Sequence, residues 1–199
     1  MILNKFLKNQ KKIMNTIGKF FVMAMFAFTT SSSFAQMEKT VMVGGAAMYP
    51  SKNIVENAVN SKDHTTLVAA VKAAGLVETL QSAGPFTLFA PTNAAFDLLP
   101  AGTVANLVKP ESKAALTGIL TYHVIAGKFS AKDVFKLIKK GKGSATLKTV
   151  SGGTLTARKQ GKKLTLTDQS GGVAYVTIAD VNQSNGVIHV IDHVLLPKM

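Results

Sequence analysis

Two of the chain's four histidines have a spacing that could bind a metal ion. His189 and His193 are four residues apart, which on a helix would direct both imidazoles at one ion. The surrounding stretch, Val187 to Leu196, is almost wholly apolar and predicts a strand that is buried on both faces. On a strand the two histidines share a face but lie about 13 Å apart, too far for one ion. We therefore predict no metal site, and we interpret His123 and His189 as buried, hydrogen-bonded side chains.

The residues that commonly perform catalysis or hold cofactors do not form a recognisable pattern. There is no Gly-x-Ser-x-Gly sequence for a serine nucleophile, no glycine-rich dinucleotide loop and no Walker loop. The ten acidic residues are scattered without a pair that suggests glycoside hydrolysis. The chain has no cysteine, which excludes thiolate chemistry, disulfides and lipid attachment through an N-terminal cysteine. The sequence predicts a protein that is not an enzyme and needs no cofactor.

The first 35 residues have the three parts of a bacterial export signal. Residues 1–19 contain five lysines and no acidic residue, and residues 20–28 form an uncharged apolar run. Small residues at Ser33 and Ala35 then provide a cleavage site before Gln36. The apolar run is far shorter than the roughly 20 residues that span a bilayer. We predict a signal peptide over residues 1–35, no transmembrane segment after its removal, and a mature chain of one domain.

Positive charge is concentrated in one segment of the predicted mature chain. Without the five lysines of the signal, 18 basic and 10 acidic residues remain, a net charge of +8. Nine of the basic residues lie within residues 136–163, which contain no acid, and this range is called the basic segment below. It predicts attraction to an anionic polysaccharide or other acidic polymer. The four lysines that we select as this patch are Lys139, Lys140, Lys162 and Lys163. A solvated, solubilising sheet edge explains the same pattern, and both interpretations remain open.

Nucleic acid is an unfavourable partner for the same segment. No aromatic residue lies between Phe135 and Tyr175, so the basic residues have no neighbouring rings on which bases could stack. Export would also separate the protein from most nucleic acid. We therefore predict no nucleic-acid binding.

The apolar pattern changes along the chain from helical spacing to alternation. Residues 36–52 predict a flexible leader. Apolar residues at helical spacing then predict short helices, one ending at Gly75, one following Thr92 or Asn93, and one capped by Ser130 with Val134, Leu137 and Ile138 on one face. After residue 143 the apolar residues alternate, with Gly-rich breaks at residues 151–153, 160–161 and 170–172 that predict hairpins. Helices first and strands later predict an α+β domain.

Three stretches together resemble the fasciclin (FAS1) family. They are Phe86-Thr87-Leu88-Phe89-Ala90-Pro91-Thr92-Asn93-Ala94-Ala95-Phe96, Tyr122-His123-Val124, and Asn185-Gly186-Val187-Ile188-His189-Val190-Ile191-Asp192-His193-Val194-Leu195-Leu196-Pro197. The resemblance covers residues 53–197 and implies a FAS1 fold, a wedge or sandwich of two β-sheets with several helices packed around it. It also implies a secreted or cell-surface adhesion or extracellular-matrix module, exported to the periplasm or to the cell surface of a bacterium.

The resemblance also assigns roles to particular residues. It implies polar contacts between the first and last stretches through Thr92 and Asn93, and Asn185-Gly186 is expected to form a tight turn with positive φ at both positions. The adhesion motifs of animal matrix members match only in part, at Tyr122-His123 and at Asp180-Val181, which are the candidate binding residues. The expected partner is a cell-surface or matrix protein or an anionic polysaccharide. A carrier of a small apolar ligand, such as a pigment or lipid, is the alternative, and it requires an apolar cleft between helices and sheet.

Overall fold

A computed structural model describes residues 39–198, so the predicted signal peptide lies outside the described residues. These residues contain seven α-helices: α1 (Ile54–Ala58), α2 (Thr65–Ala74), α3 (Val77–Gln81), α4 (Asn93–Asp97), α5 (Thr103–Leu107), α6 (Lys113–Tyr122) and α7 (Ala131–Lys140). Two 3₁₀ turns, Lys62–His64 and Pro110–Ser112, precede α2 and α6. None of the helices in this part of the chain is long and apolar enough to cross a membrane.

Nine strands accompany these helices. They are β1 (Val41–Val43), β2 (Ala46–Met48), β3 (Phe86–Pro91), β4 (Val124–Ala126), β5 (Ser144–Lys148), β6 (Thr154–Gln160), β7 (Lys163–Thr167), β8 (Val173–Gln183) and β9 (Gly186–Ile191). The first two form a separate hairpin, and the other seven form one sheet in the order β4-β3-β9-β8-β7-β6-β5. The predicted α+β fold is confirmed.

The long strand β8 joins the two halves of the seven-stranded sheet, β4-β3-β9 and β7-β6-β5. Its first residues pair with β7, and the remainder pairs antiparallel with β9, with register shifts between Val176 and Val181. Asp180 lies in this irregular stretch and has a φ of 59°, which is uncommon outside glycine. Strand β8 therefore belongs to both halves of the sheet, and its bulge lies in the part that pairs with β9.

Two apolar cores lie on opposite faces of the central strands. On β3, Leu88 and Ala90 pack with the helices, whereas Phe89 points to the other core, between the two halves of the sheet and α7. The parallel partner β9 behaves in the same way, since Ile188 and Ile191 enter different cores. Every residue of β9 is buried, as its apolar sequence predicts for a strand covered on both faces.

Local signals place the helix ends correctly. Helix α2 ends at Gly75, which has a φ of 74°. The side chain of Ser130 caps α7 by accepting a hydrogen bond from the Asp133 amide, and the Asp133 carboxylate in turn accepts one from the Ser130 amide. The predicted helical stripe of α7 is only partly confirmed, because Leu137 is 37% exposed while Val134 and Ile138 are buried.

Part of the predicted flexible leader is folded, which corrects that prediction. Within residues 36–52, β1 and β2 form a hairpin around Gly44-Gly45, whose φ values of 57° and 77° suit a tight two-residue turn. Val43 and Met48 are buried in the helical core. Each strand of this hairpin has only three residues, which is too short for an alternating apolar pattern to be recognised in the sequence. The hairpin is stabilised by burial of Val43 and Met48 against residues distant in the chain.

The last strand is shorter than predicted. It ends at Ile191 instead of Leu196, because its parallel neighbour β3 ends at Pro91 and the chain beside it turns into α4. His193 follows the strand, so it does not share a strand face with His189, and the 13 Å separation expected for a continuous strand does not apply.

Candidate functional site

The predicted binding pair Tyr122-His123 lies at the end of α6 and is buried. The Tyr122 hydroxyl donates to the Thr154 carbonyl over 2.7 Å and accepts from the Gln169 amide over 3.1 Å. Its side chain exposes none of its surface. Tyr122 therefore fixes two hairpin segments of the sheet to the end of the helix.

Both ring nitrogens of His123 are occupied. Nδ1 lies 2.8 Å from the Ile119 carbonyl oxygen and Nε2 lies 3.0 Å from the Leu195 amide nitrogen. These partners require a proton on Nδ1 and a lone pair on Nε2, the neutral form of the ring. Burial lowers the pKa of His123 to about 4, although its bond to Ile119 and the nearby Asp168 act in the opposite direction. His123 holds the C-terminal segment against α6.

Asp180 and His189 belong to one hydrogen-bonded network beneath the start of α7. The Asp180 carboxylate accepts from the Ala131 amide over 2.7 Å, which satisfies one of the free amides at that helix start. The Asp180 amide donates to Nδ1 of His189 over 3.3 Å, and Nε2 of the same ring donates to the Phe129 carbonyl at 2.9 Å. Burial lowers the pKa of His189, so the ring is held in its neutral form. The bulge in β8 directs Asp180 into this network.

The location of these residues limits how they can bind a partner. Tyr122 and Val181 expose 0% of their surface and His123 exposes 2%. Asp180 is half-buried and already bonded to α7. In this conformation the four candidate binding residues position neighbouring segments and offer a partner little or no surface, so a docking surface has to be sought among exposed residues.

The predicted polar contact between the first and last stretches is made by the backbone amide of Thr92, which donates to the Ile191 carbonyl over 3.3 Å, whereas the side chains of Thr92 and Asn93 bond elsewhere. The Thr92 hydroxyl caps α4 by accepting from the Ala95 amide over 3.3 Å. Asn93 instead reaches α2: its side-chain oxygen accepts from the Thr66 amide over 3.0 Å, and its nitrogen donates to the Lys62 carbonyl over 2.8 Å. The helices that cover β3 are thereby fixed to the end of that strand.

Asn185 connects the final hairpin to two helices. Its side-chain oxygen accepts from the Ile54 amide at the start of α1 over 3.0 Å. Its nitrogen donates to the Leu80 and Ser82 carbonyls at the end of α3, each over 2.8 Å. These contacts link positions 103 to 131 residues apart, and they bind the last stretch to the helical layer.

The predicted turn geometry of Asn185-Gly186 is wrong. Neither residue has a positive φ, and the two turn residues are Ser184 and Asn185, since Gln183 pairs with Gly186. Glycine is required at 186 by crowding, because a Cβ there would overlap the carbonyl oxygen of Phe86 on β3. Close approach of two backbones, not turn conformation, accounts for this glycine.

The four selected lysines lie at the same end of the sheet. Lys139 and Lys140 end α7, just before β5 begins opposite Arg158 of β6. Lys162 and Lys163 lie in and after the turn that joins β6 to β7. All four are exposed.

Little within the described residues neutralises this charge. In that part of the chain the basic segment forms a single ion pair, between Lys136 and Asp133 at 3.0 Å. Lys159 and Lys163 lie over the rings of Phe135 and Tyr175, each at 5.9 Å from the ring centre, the outer limit of a cation–π contact. The end of the sheet therefore presents exposed, largely unpaired positive charge.

An apolar cleft separates the helices from the sheet, as the alternative function requires. It has two adjoining parts that share Leu67, Val71, Leu80 and Leu88. Their free volumes are only about 20 Å³ and 40 Å³, room for one or two water molecules. Pockets for drug-sized ligands measure about 300–1,000 Å³, so a pigment does not fit this conformation.

Sequence reasoning missed two features of the site. Asp168 accepts hydrogen bonds from the amides of Ser170, Gly172 and Leu196, which fixes the C-terminal segment to the β7–β8 loop. An Asp-x-x-Gly-Gly run is a turn signal, but it does not predict the distant bond. The second is an open groove beside β5, described below. Within residues 39–198, His, Asp and Glu side chains form no cluster of three or more that could hold a metal ion.

Comparison with known proteins identifies the family to which this chain belongs. A family model described as the Fasciclin domain matches residues 62–197. Protein sll1483 of Synechocystis is 48% identical over 162 residues, which cover 81% of this chain and 83% of that protein. The cell surface glycolipoprotein MPB83 of Mycobacterium bovis is 35% identical over 160 residues, covering 78% of this chain and 64% of its own.

A solved structure shares the fold. It contains a FAS1 domain pair from the insect cell adhesion molecule fasciclin I, with a TM-score of 0.65 at 19% identity, and the match covers 80% of this chain and 58% of that one. The extent of the family match and the similarity to the relatives lead to one assignment: this chain belongs to the fasciclin-domain family.

Proposed function

We propose that this protein is a non-catalytic adhesion or matrix-interaction module, exported to the periplasm or cell surface of a bacterium. The observation that carries the proposal is its membership of the fasciclin-domain family, in which the relative MPB83 is a cell surface glycolipoprotein. The hydrogen bonds of Tyr122, His123 and His189 support the non-catalytic part of the proposal, since these side chains are engaged in holding the fold together.

The surface best suited to a partner is the basic segment. Its lysines are exposed and carry little compensating charge, so they favour an anionic polysaccharide or an acidic protein surface. Contacts of this kind are individually weak and depend on several charges acting together. Binding through this surface should therefore fall steeply with salt.

The test measures retention of the purified protein on cell-envelope material at increasing salt. Between about 10 mM and 150 mM salt the Debye length falls from about 30 Å to about 8 Å, which screens exposed charges. We expect the wild type to be released over this range and the variant Lys139→Gln, Lys140→Gln, Lys162→Gln, Lys163→Gln to be released at lower salt. Its melting temperature should stay near that of the wild type, because exposed charges add little stability.

A matched control separates location from total charge. Lys62, Lys72, Lys109 and Lys113 are exposed lysines of the helical layer, and their replacement by glutamine removes the same charge. Retention equal to the wild type supports the basic segment. Equal loss in the two variants would show that only net charge matters, and salt-insensitive retention would refute the proposed surface.

The carrier is the second candidate, and the apolar cleft is the observation in its favour. Its free volume has to increase several-fold before it could enclose a pigment or lipid. Extraction of the protein from native envelopes, followed by mass spectrometry of bound small molecules, distinguishes the two candidates. A stoichiometric apolar ligand would favour the carrier.

A further inference from the structure

Strand β5 is a terminal strand of the seven-stranded sheet, and within residues 39–198 no strand pairs with its outer side. Beyond its last residue, the Thr149 amide donates over 2.9 Å to the carbonyl of Gly153, the residue before β6. Amides alternate in direction along an antiparallel strand, so those of Ala145 and Leu147 also point to β6. The amides and carbonyls of Thr146 and Lys148 therefore point away from the sheet.

A backbone hydrogen bond joins the two edges of the sheet just beyond the end of β5. Val150, two residues beyond Lys148, donates to the Val124 carbonyl of the opposite edge strand β4 over 2.8 Å. An open groove of about 430 Å³ lies beside the end of α7 and the start of β5. Its lining residues are Leu137, Lys140, Gly141, Ser144, Ala145 and Thr146. We call this space the β5 groove.

The β5 groove combines a free strand edge, an apolar contact and positive charge. Leu137 is a large apolar side chain that is 37% exposed. Lys140 lines the groove, and Lys139 and Lys142 adjoin it in the chain. The acid nearest in sequence, Asp133, is bonded to Ser130 and Lys136 near the opposite end of α7.

We propose that the β5 groove receives an extended acidic segment of a partner protein, which adds to β5 as a further strand. Backbone bonds to Thr146 and Lys148 would supply the pairing, Leu137 an apolar contact, and the lysines selectivity for acidic residues. The inference rests on the proposed function and specifies its partner. A second copy of this chain is disfavoured, because pairing two β5 strands would bring two groups of lysines together.

The test uses an eight-residue peptide of alternating valine and glutamate, with the mature protein isotopically labelled for NMR. Binding should slow exchange of the Thr146 amide and leave that of Leu147 unchanged. A peptide of the same sequence, N-methylated at every residue, keeps its charge but cannot donate a backbone hydrogen bond along either edge. We expect it to bind about tenfold more weakly. Equal binding of the methylated peptide would overturn strand addition.

Variants locate the site independently. Thr146→Pro removes the outward amide while leaving the β6-facing amides in place, and Thr146→Ala is its matched control with the amide retained. We expect only the proline variant to lose peptide binding. Lys140→Gln with Lys142→Gln should weaken binding, and Lys162→Gln with Lys163→Gln should not. Weaker binding in the Lys162→Gln, Lys163→Gln variant and unchanged binding in the Lys140→Gln, Lys142→Gln variant would overturn this location. The test of the wild type with the methylated peptide does not depend on whether Thr146→Pro folds.

Two further measurements address other occupants. Oligogalacturonate that displaces the peptide at equal charge concentration and protects the Thr146 amide would overturn the preference for protein. A dimer of the free protein that Thr146→Pro abolishes would assign the groove to a second copy. Envelope retention that persists in a folded Thr146→Pro variant without peptide binding refutes this inference alone and leaves the proposed adhesion function standing.

Discussion

Protonation of His123 should destabilise the fold in mildly acidic solution. The ring lies between the Ile119 carbonyl and the Leu195 amide, and Nε2 accepts from that amide. A proton added to Nε2 would face the Leu195 N–H and break the bond that holds the C-terminal segment. Burial and this arrangement keep the ring neutral, and the pKa of His123 is lowered from 6.5 to about 4.

The size and sign of the effect follow from the difference between the folded and unfolded pKa values. As pH falls below 6.5 the unfolded chain binds a proton at this position, whereas the folded chain does so only near pH 4. The contribution to stability is therefore fully present above about pH 6.5 and is lost as pH falls towards 4. Between about pH 7.5 and pH 5 the loss amounts to about 2 kcal/mol for this one ring.

Two other buried histidines act in the same direction. Burial lowers the pKa of His64 and His189 as well, so the wild type should lose more stability than His123 alone explains. Carboxylates contribute less in this window, and the pKa of Asp133 is lowered to about 2 by its bonds to Ser130 and Lys136. The change in the free energy of unfolding between pH 7.5 and pH 5 therefore depends mainly on the histidines.

Urea unfolding followed by far-UV circular dichroism measures the free energy of unfolding at each pH. We expect His123→Gln to start from lower stability at pH 7.5 and to lose about 2 kcal/mol less than the wild type by pH 5. The control His193→Gln alters an exposed ring that is bonded to Asp192, and it should follow the wild type. Parallel pH profiles for wild type and His123→Gln would refute the reasoning.

Four further predictions concern the same framework. Gly186→Ala should destabilise the fold by about 3 kcal/mol or more in urea unfolding, since its Cβ overlaps the Phe86 carbonyl, and near-neutral behaviour would contradict that packing. Asn185→Ala should cost about 3 kcal/mol by the same measurement, because the buried amide of Ile54 and the buried Leu80 carbonyl lose their partner; a loss below about 1 kcal/mol would argue against this role. His189→Ala should cost about 1–3 kcal/mol, and EDTA should leave the wild-type melting temperature unchanged; a fall with EDTA would indicate a bound metal. N-terminal sequencing of envelope protein should begin at Gln36, and an intact Met1 would contradict the predicted export.

Local signals in the sequence determined most of the elements. The capping pair at Ser130 and Asp133, the glycine after α2 and the alternation after residue 143 each act within a few residues. Such signals predict element type and ends because they depend on backbone amides and side-chain direction close in the chain. The family resemblance then indicated the fold from three short stretches, and the Fasciclin domain match confirms it.

The tertiary structure decided what those elements do together. His123 meets Leu195 at a separation of 72 residues, and Asn185 meets Ile54 at 131. The hairpin around Gly44-Gly45 is stable because its apolar residues reach a distant core. Hydrophobic periodicity reports which face of an element is buried, but not what covers it.

The same limit applies to the candidate surface. The sequence determined that residues 136–163 are basic, whereas only the tertiary structure decided that Val150 bonds to the opposite edge strand and that a groove lies beside the end of α7. Leu137 illustrates the difference: its spacing matches the buried stripe of α7, yet it is 37% exposed and lines the groove beside β5, the terminal strand of the sheet. Whether such a side chain is buried depends on where the sheet ends, and the end of a sheet is fixed by pairing between residues far apart in the chain.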